Sequence, residues 1–204
     1  MKFLLGIKKN MSQMFDEGGN ARTVTIISAP ASTVTTIKTL EKDGYSAVQV
    51  GAGEKKPKNI AKAQKGQFKN LGSFRFLKEF RGDAGTLKAG DKIESSIFAA
   101  GDLITVSAIS KGKGFQGTVK RHHFKGGSRT HGQKHSERDA GAIGGGARAG
   151  GRVAKGIRMS GRMGGDRVTT KNLTVLKVLP ETSEILIEGS LPGVRGALVE
   201  IREA

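Results

Sequence analysis

Cysteine and tryptophan are missing from this chain of 204 residues, tyrosine occurs once and proline four times. Without cysteine there is no disulfide and no thiolate zinc site, and the fold needs no oxidising compartment. Hydrophobic residues make up 36% and aromatic residues 5%. That is lean for a globular chain, so part of the sequence is expected to stay outside any core. Long apolar runs are absent as well. The opening MKFLLGIKKN carries only Phe3 to Ile7 between lysines, too short for the apolar centre of a secretory signal, and no stretch approaches a membrane span. A cytoplasmic protein is expected. Acids are scarce: 18 Asp and Glu stand against 35 Lys and Arg, for a formal net charge of +17. An excess of that size points to a polyanionic partner, either nucleic acid or an anionic membrane surface.

The excess is concentrated. Residues 111–162 hold thirteen Lys and Arg against two acids, Glu137 and Asp139, with fourteen of the 31 glycines, all four histidines and no proline. No helical or alternating apolar period is sustained there. Such a segment cannot bury enough apolar surface to offset its conformational entropy, and alone in water it should be mobile. It also lacks the apolar helical face with which a basic segment would lie on a membrane. The flanks differ. KFLLGI, RTVTIIS, STVTTIK and YSAVQVG precede it, and NLTVLKVL, EILIEGS and ALVEIRE follow it, separated by Gly-, Pro- and acid-rich turns. Ile185 and Ile187 alternate with Glu184 and Glu188, the pattern of a half-buried strand. The expected fold is mainly β: one antiparallel barrel built from both chain ends, residues 1–56, 91–110 and 163–204. Residues 57–90 are expected to form a small helix-containing insertion, with a helix in KNIAKAQKGQFKN and a strand in SFRFLKEFR. Residues 111–162 would be a long basic glycine-rich loop, a length that argues for function or for ordering by a partner.

Within that loop Gly112, Gly114 and Gly117 spell G-x-G-x-x-G after the strand-like DLITVSAI, with Glu137 downstream. A dinucleotide site needs a helix after the glycines, whose N-terminal N–H groups hold the pyrophosphate. The following TVKRHHFKGG draws no amphipathic helix, and Glu137 does not end a second apolar strand, so the match has lost its context. GGGARAGG lacks the Lys-Ser/Thr of a phosphate-binding P-loop. His131 and His135 have a spacing that suits a metal only on a helix, which is not expected there, and no third ligand accompanies them. The sequence shows no active site, no resident metal and no cofactor.

Glycine lets a chain thread narrow passages and turn sharply, while interspersed cations neutralise phosphates on every side. That combination suits an arm held in folded RNA. The candidate RNA-binding residues are Lys111, Lys113, Lys120, Arg121, His122, His123, Lys125, Arg129, His131, Lys134, His135, Arg138, Arg148, Arg152, Lys155, Arg158 and Arg162. The histidines would stack or hydrogen-bond against bases and phosphates. If about ten of the cations meet phosphates, log affinity should fall with log salt at a slope of roughly −7 to −9. A structural RNA-binding protein, an assembly factor that leaves the finished particle and a nucleotide-dependent enzyme are the three readings weighed.

SKGKGFQGTVKRHHFKGG, THGQKH, GAIGGG, GRVAKG and RMSGRMGGDRVT resemble, in that order, the signature of the universal ribosomal protein three family of the large subunit, in its bacterial form. GIKKNMSQMFDEGG, GYSAVQVGAG, AGDLITV and ILIEGSLPGVRGALVEI resemble the family's other blocks, so the likeness spans nearly the whole chain, least clearly residues 57–90. It implies a translation-protein-type β-barrel, no enzymatic activity and a ribosome-bound place in the cytoplasm. The implied partners are neighbouring large-subunit proteins and large-subunit ribosomal RNA, bound early in assembly through its 3′ domain and near the peptidyl transferase centre. The resemblance further implies an outgoing limb lined by Lys111, Lys113, Lys120, Arg121 and His122 and a returning limb lined by Arg152, Lys155, Arg158 and Arg162. The tip would fall around residues 141–151. Many bacterial relatives have prolines near Ala140 and Ala149, and some a methylated glutamine where this chain has glycine, Ala147 and Arg148. No such modification is expected here.

Overall fold

The computed structural model describes residues 2–68, 71–145 and 150–204. The chain divides into two compact units, residues 1–109 with 167–204, and residues 110–166. The first is mainly β. Six antiparallel strands close a barrel: β1 (Phe3–Phe15), β2 (Ala21–Ser28), β7 (Leu103–Ile109), β10 (Arg167–Leu179), β11 (Glu184–Glu188) and β12 (Leu198–Glu203), in the order β1-β12-β7-β10-β11-β2 with β2 returning to β1. Both ends of the chain therefore supply strands, as the alternating flanks require. Ile185 and Ile187 are fully buried while Glu184 and Glu188 stay partly open, so β11 shows the half-buried period read from its sequence. Leu4, Ile27, Val106, Val199 and Ile201 belong to the same buried cluster.

β7 is a finding in itself. Ile104 through Ala108 are buried without a break, so both faces of the strand are covered, as in a strand at the centre of two layers. Ser107 and Thr169 Oγ atoms share a hydrogen bond of 2.8 Å, which gives the buried Ser107 hydroxyl a partner that burial would otherwise deny it. β10 serves two neighbours in turn, β7 along its first half and β11 along its second. Asn172, at φ 56°, sits where the β7 register slips between Thr170 and Leu173. Asn is among the few side chains at ease in that conformation, and the bulge bends the strand from one partner to the next.

The remaining strands of this unit form a second sheet, ordered β5-β4-β3-β6, from β3 (Ser32–Lys38), β4 (Ala47–Glu54), β5 (Phe74–Arg81) and β6 (Lys92–Ile93). This corrects the expected division: β3, β4 and β6, all counted with the barrel, form a separate sheet in which β4 pairs with β5 of the expected insertion. Alternation shows that a strand has a buried face; it does not say which sheet receives it. The expected helix is α2 (Lys62–Gln67), after a single turn α1 (Leu40–Asp43). Phe3 of the barrel and Phe80 of β5 stack at 4.6 Å between ring centroids and 24° between planes, and one continuous apolar cluster runs through both sheets. Lys78 on β5 reaches Glu200 on β12 at 3.0 Å, and Arg167 on β10 pairs with the same carboxylate.

Candidate nucleic-acid interface

The unit of residues 110–166 joins β7 to β10, two strands that are already neighbours, with Arg167 paired to Ile109. Its two ends are laced. The Ser110 N–H donates to the Asp166 carbonyl at 2.8 Å, and the Lys113 N–H donates to the Met163 carbonyl at 2.9 Å. The Met163 N–H returns a bond to the Gly114 carbonyl at 2.9 Å. β8 (Phe115–Gln116) then pairs antiparallel with β9 (Gly161–Arg162). Lys111 and Arg162, 51 positions apart in sequence, thus belong to one wall.

A single helical turn, α3 (Thr118–His122), follows Gly117. The sequence reading draws no helix there, and this is a correction. Five residues are too few to display a period, and the turn rests on tertiary contacts. Thr118 is buried, the Arg121 N–H donates to the Gly117 carbonyl at 2.9 Å, and His123, at φ 61°, ends the turn. The side chains that α3 presents meet the returning limb. Arg121 Nη1 donates to the Met159 carbonyl at 2.8 Å, and His122 Nε2 lies 3.1 Å from the same oxygen. A carbonyl oxygen only accepts, so His122 carries its proton on Nε2 in this contact. The turn makes no dinucleotide site: a Cβ at Gly112, Gly114 or Gly117 would meet nothing within 4 Å, so these glycines are not packed against a strand. Glu137 is engaged by Arg129 at 2.7 Å. Elsewhere glycine is required by close approach. A Cβ at Gly126 would collide with the Glu137 carbonyl oxygen and one at Gly164 with that of Lys111, both glycines having positive φ.

Of the seventeen candidate residues, Arg148 lies outside the described residues, as do Ala147 and Ala149 of the expected tip. Lys111, Lys113, Lys120, His123, Lys125, Arg129, His131, Lys134, His135, Arg138, Arg152, Lys155, Arg158 and Arg162 are all exposed; Arg121 and His122 are half-buried. His131 and His135 are not on a helix. Among the described residues no three His, Cys, Asp or Glu side chains gather as metal ligands. The structure adds a residue that the sequence reading did not single out. Phe115 on β8 is 75% exposed, in the form of an aromatic face beside cations that can stack on a nucleotide base. Its signal was available as an aromatic between Lys113 and Lys120. The Met159 carbonyl had no such signal, because a backbone acceptor leaves no trace in residue type.

Fourteen of the described basic side chains are exposed while backbone bonds hold the two limbs together at their base, an arrangement suited to a polyanion. No helix among the described residues is long and apolar enough to cross a membrane. The family model of ribosomal protein L3 matches residues 82–184. The chain is 44% identical to the large ribosomal subunit protein uL3 of Acidothermus cellulolyticus, across 100% of this chain and 93% of the relative. It is 45% identical to the uL3 proteins of Herpetosiphon aurantiacus, across 98% and 95%, and of Chloroherpeton thalassium, across 98% of each. With similarity running from end to end over the barrel, the second sheet and the basic unit, the chain belongs to the ribosomal protein L3 family.

Proposed function

We propose that this protein is a structural, non-enzymatic component of the large ribosomal subunit, bound to the ribosome in the cytoplasm. It binds large-subunit ribosomal RNA early in assembly, in the 3′ domain, and lies against neighbouring ribosomal proteins. The basic unit, residues 110–166, braces RNA near the peptidyl transferase centre without taking part in peptide transfer. The observation that carries this reading is the array of fourteen exposed Lys, Arg and His side chains on a unit whose two limbs are laced together at their base, Ser110–Gln116 against Gly161–Asp166. Arg152, Lys155 and Arg158 on the returning limb meet phosphates, and Phe115 offers a stacking face. The relatives' shared name, large ribosomal subunit protein uL3, supports the same assignment.

Sedimentation of the tagged protein through a high-salt sucrose gradient tests it. Stoichiometric migration with mature large subunits is expected. Migration with precursor particles alone would replace the reading with that of an assembly factor, and protein left at the top of a low-salt gradient would overturn it. Replacing Arg152, Lys155 and Arg158 together by Ala should weaken binding to large-subunit RNA and flatten its salt dependence, by roughly 2 to 3 in log–log slope if each cation meets one phosphate.

A further inference from the structure

The two half-buried candidates lie in a cleft that the exposed ones do not explain. Within residues 110–166 a cleft of about 480 Å³ is walled by Lys111, Lys113, Arg121, His122, Arg162 and Asp166, among others. The basic side chains divide into two groups. Arg121 and His122 both converge on one acceptor, the Met159 carbonyl, and the Arg121 guanidinium lies so close to the returning limb that a Cβ at Gly161 would come 2.6 Å from its Nη1. The Lys111, Lys113 and Arg162 side chains make no hydrogen bond or ion pair with any described residue. Among the described residues Asp166 is the single acid on the wall, and it forms no ion pair with them.

We propose that this cleft is a binding site for backbone phosphates of one nucleic-acid strand, contacted by Lys111, Lys113 and Arg162. Arg121 and His122 do not touch that strand; they are positioning residues that pin the returning limb to α3. The inference rests on the RNA-binding reading above and deepens it, dividing the candidate residues by role. The physical reason is the cost of assembling like charges. Three cations brought together from distant parts of a chain repel one another, and a mobile loop would separate them. The pairing of β8 with β9 and the bonds to Met159 hold them in place before a ligand arrives, which lowers the ordering cost on binding. Arg suits the pinning role because its planar fork can bond a carbonyl while its flat face packs on glycine.

The test uses the full chain and an in vitro transcript of large-subunit ribosomal RNA, with affinity measured across a salt series. Lys113→Gln combined with Arg162→Gln should reduce the log–log slope by roughly 1.4 to 1.8, two phosphate contacts' worth. Arg121→Gln should lower affinity by the same factor at every salt and leave the slope unchanged. Gly161→Ala, which displaces the guanidinium without altering charge, should reproduce the Arg121→Gln result and guards against misfolding of the latter. An unchanged slope in the double variant would overturn the cleft as a phosphate site, and is also what an acidic protein segment as its occupant would give. A reduced slope in Arg121→Gln would overturn the positioning role. If Arg152, Lys155 and Arg158 still flatten the slope when the cleft pair does not, the inference alone fails; a wild-type chain that does not bind the transcript sinks the broader reading with it.

Discussion

Asp102 shows how a single charged contact ties distant parts of the first unit together. Its carboxylate accepts from the Ala99 backbone N–H at 3.0 Å and from Lys2 Nζ at 2.7 Å. The Ala99 N–H first, then Lys2, hold the Asp102 carboxyl below the usual carboxylate range, and the bond to Asp102 in turn raises the Lys2 ammonium. The two signs act at opposite ends of the pH scale. The depressed acid stabilises the fold above its unfolded pKa, about 3.9, and that contribution is lost as pH falls through the folded value. The raised Lys2 stabilises below its unfolded pKa, about 10.4, and loses its contribution as pH rises through the folded value. Wild type should therefore melt higher than Asp102→Asn at pH 7, and the gap should begin to narrow as pH drops below about 4 and close only below the folded value. Thermal melts of both proteins in steps from pH 7 down to pH 3 and lower check this; a gap that does not narrow at all below about pH 4 would assign the effect to packing.

Between elements, the decisive contact is the ring pair of Phe3 and Phe80. It couples β1 of the barrel to β5 of the second sheet within one apolar cluster. Phe80→Ala should cost about 3–5 kcal/mol, the range for a buried aromatic truncation. Chemical denaturation followed by far-ultraviolet circular dichroism reads the loss. If only the second sheet depends on the pair, the transition will split in two. At this scale the sequence was legible where a signal is local. Ile185 and Ile187 announced β11, and the lysines and alanines of residues 58–70 announced α2 in spite of Gly66. The sheet partner of β3 and β4 was not legible, since pairing of Val48 with Phe80 across 32 positions is a long-range choice that no period records. Nor was α3, whose two anchoring side chains depend on a carbonyl nearly forty positions away. The basic interface itself was plain from charge and glycine content; its division into exposed cations and the pair on Met159 required coordinates.

At the scale of the molecule, the barrel and the basic unit are separable in sequence. Ile109 and Arg167 face each other in the ladder between β7 and β10, so a short connection can close the gap that removal of the unit leaves. Replacing residues 113–161 with a brief Gly-Ser linker should preserve the strand signal and a cooperative melt while abolishing most of the salt-dependent RNA affinity. Loss of cooperative melting would show instead that the barrel needs the basic unit to fold.

The position of β12 has a consequence in time. It is the last strand in the chain, yet it stands between β1 and β7. During synthesis the first strand must wait for the final one, and until then the barrel lacks a stave, with the edges of β1 and β7 open to pairing with other chains. The basic segment emerges before that gap is filled. A nascent chain thus carries two hazards at once, unpaired strand edges and a dense run of positive charge seeking any nearby nucleic acid, and six residues, Leu198–Glu203, end the first of them.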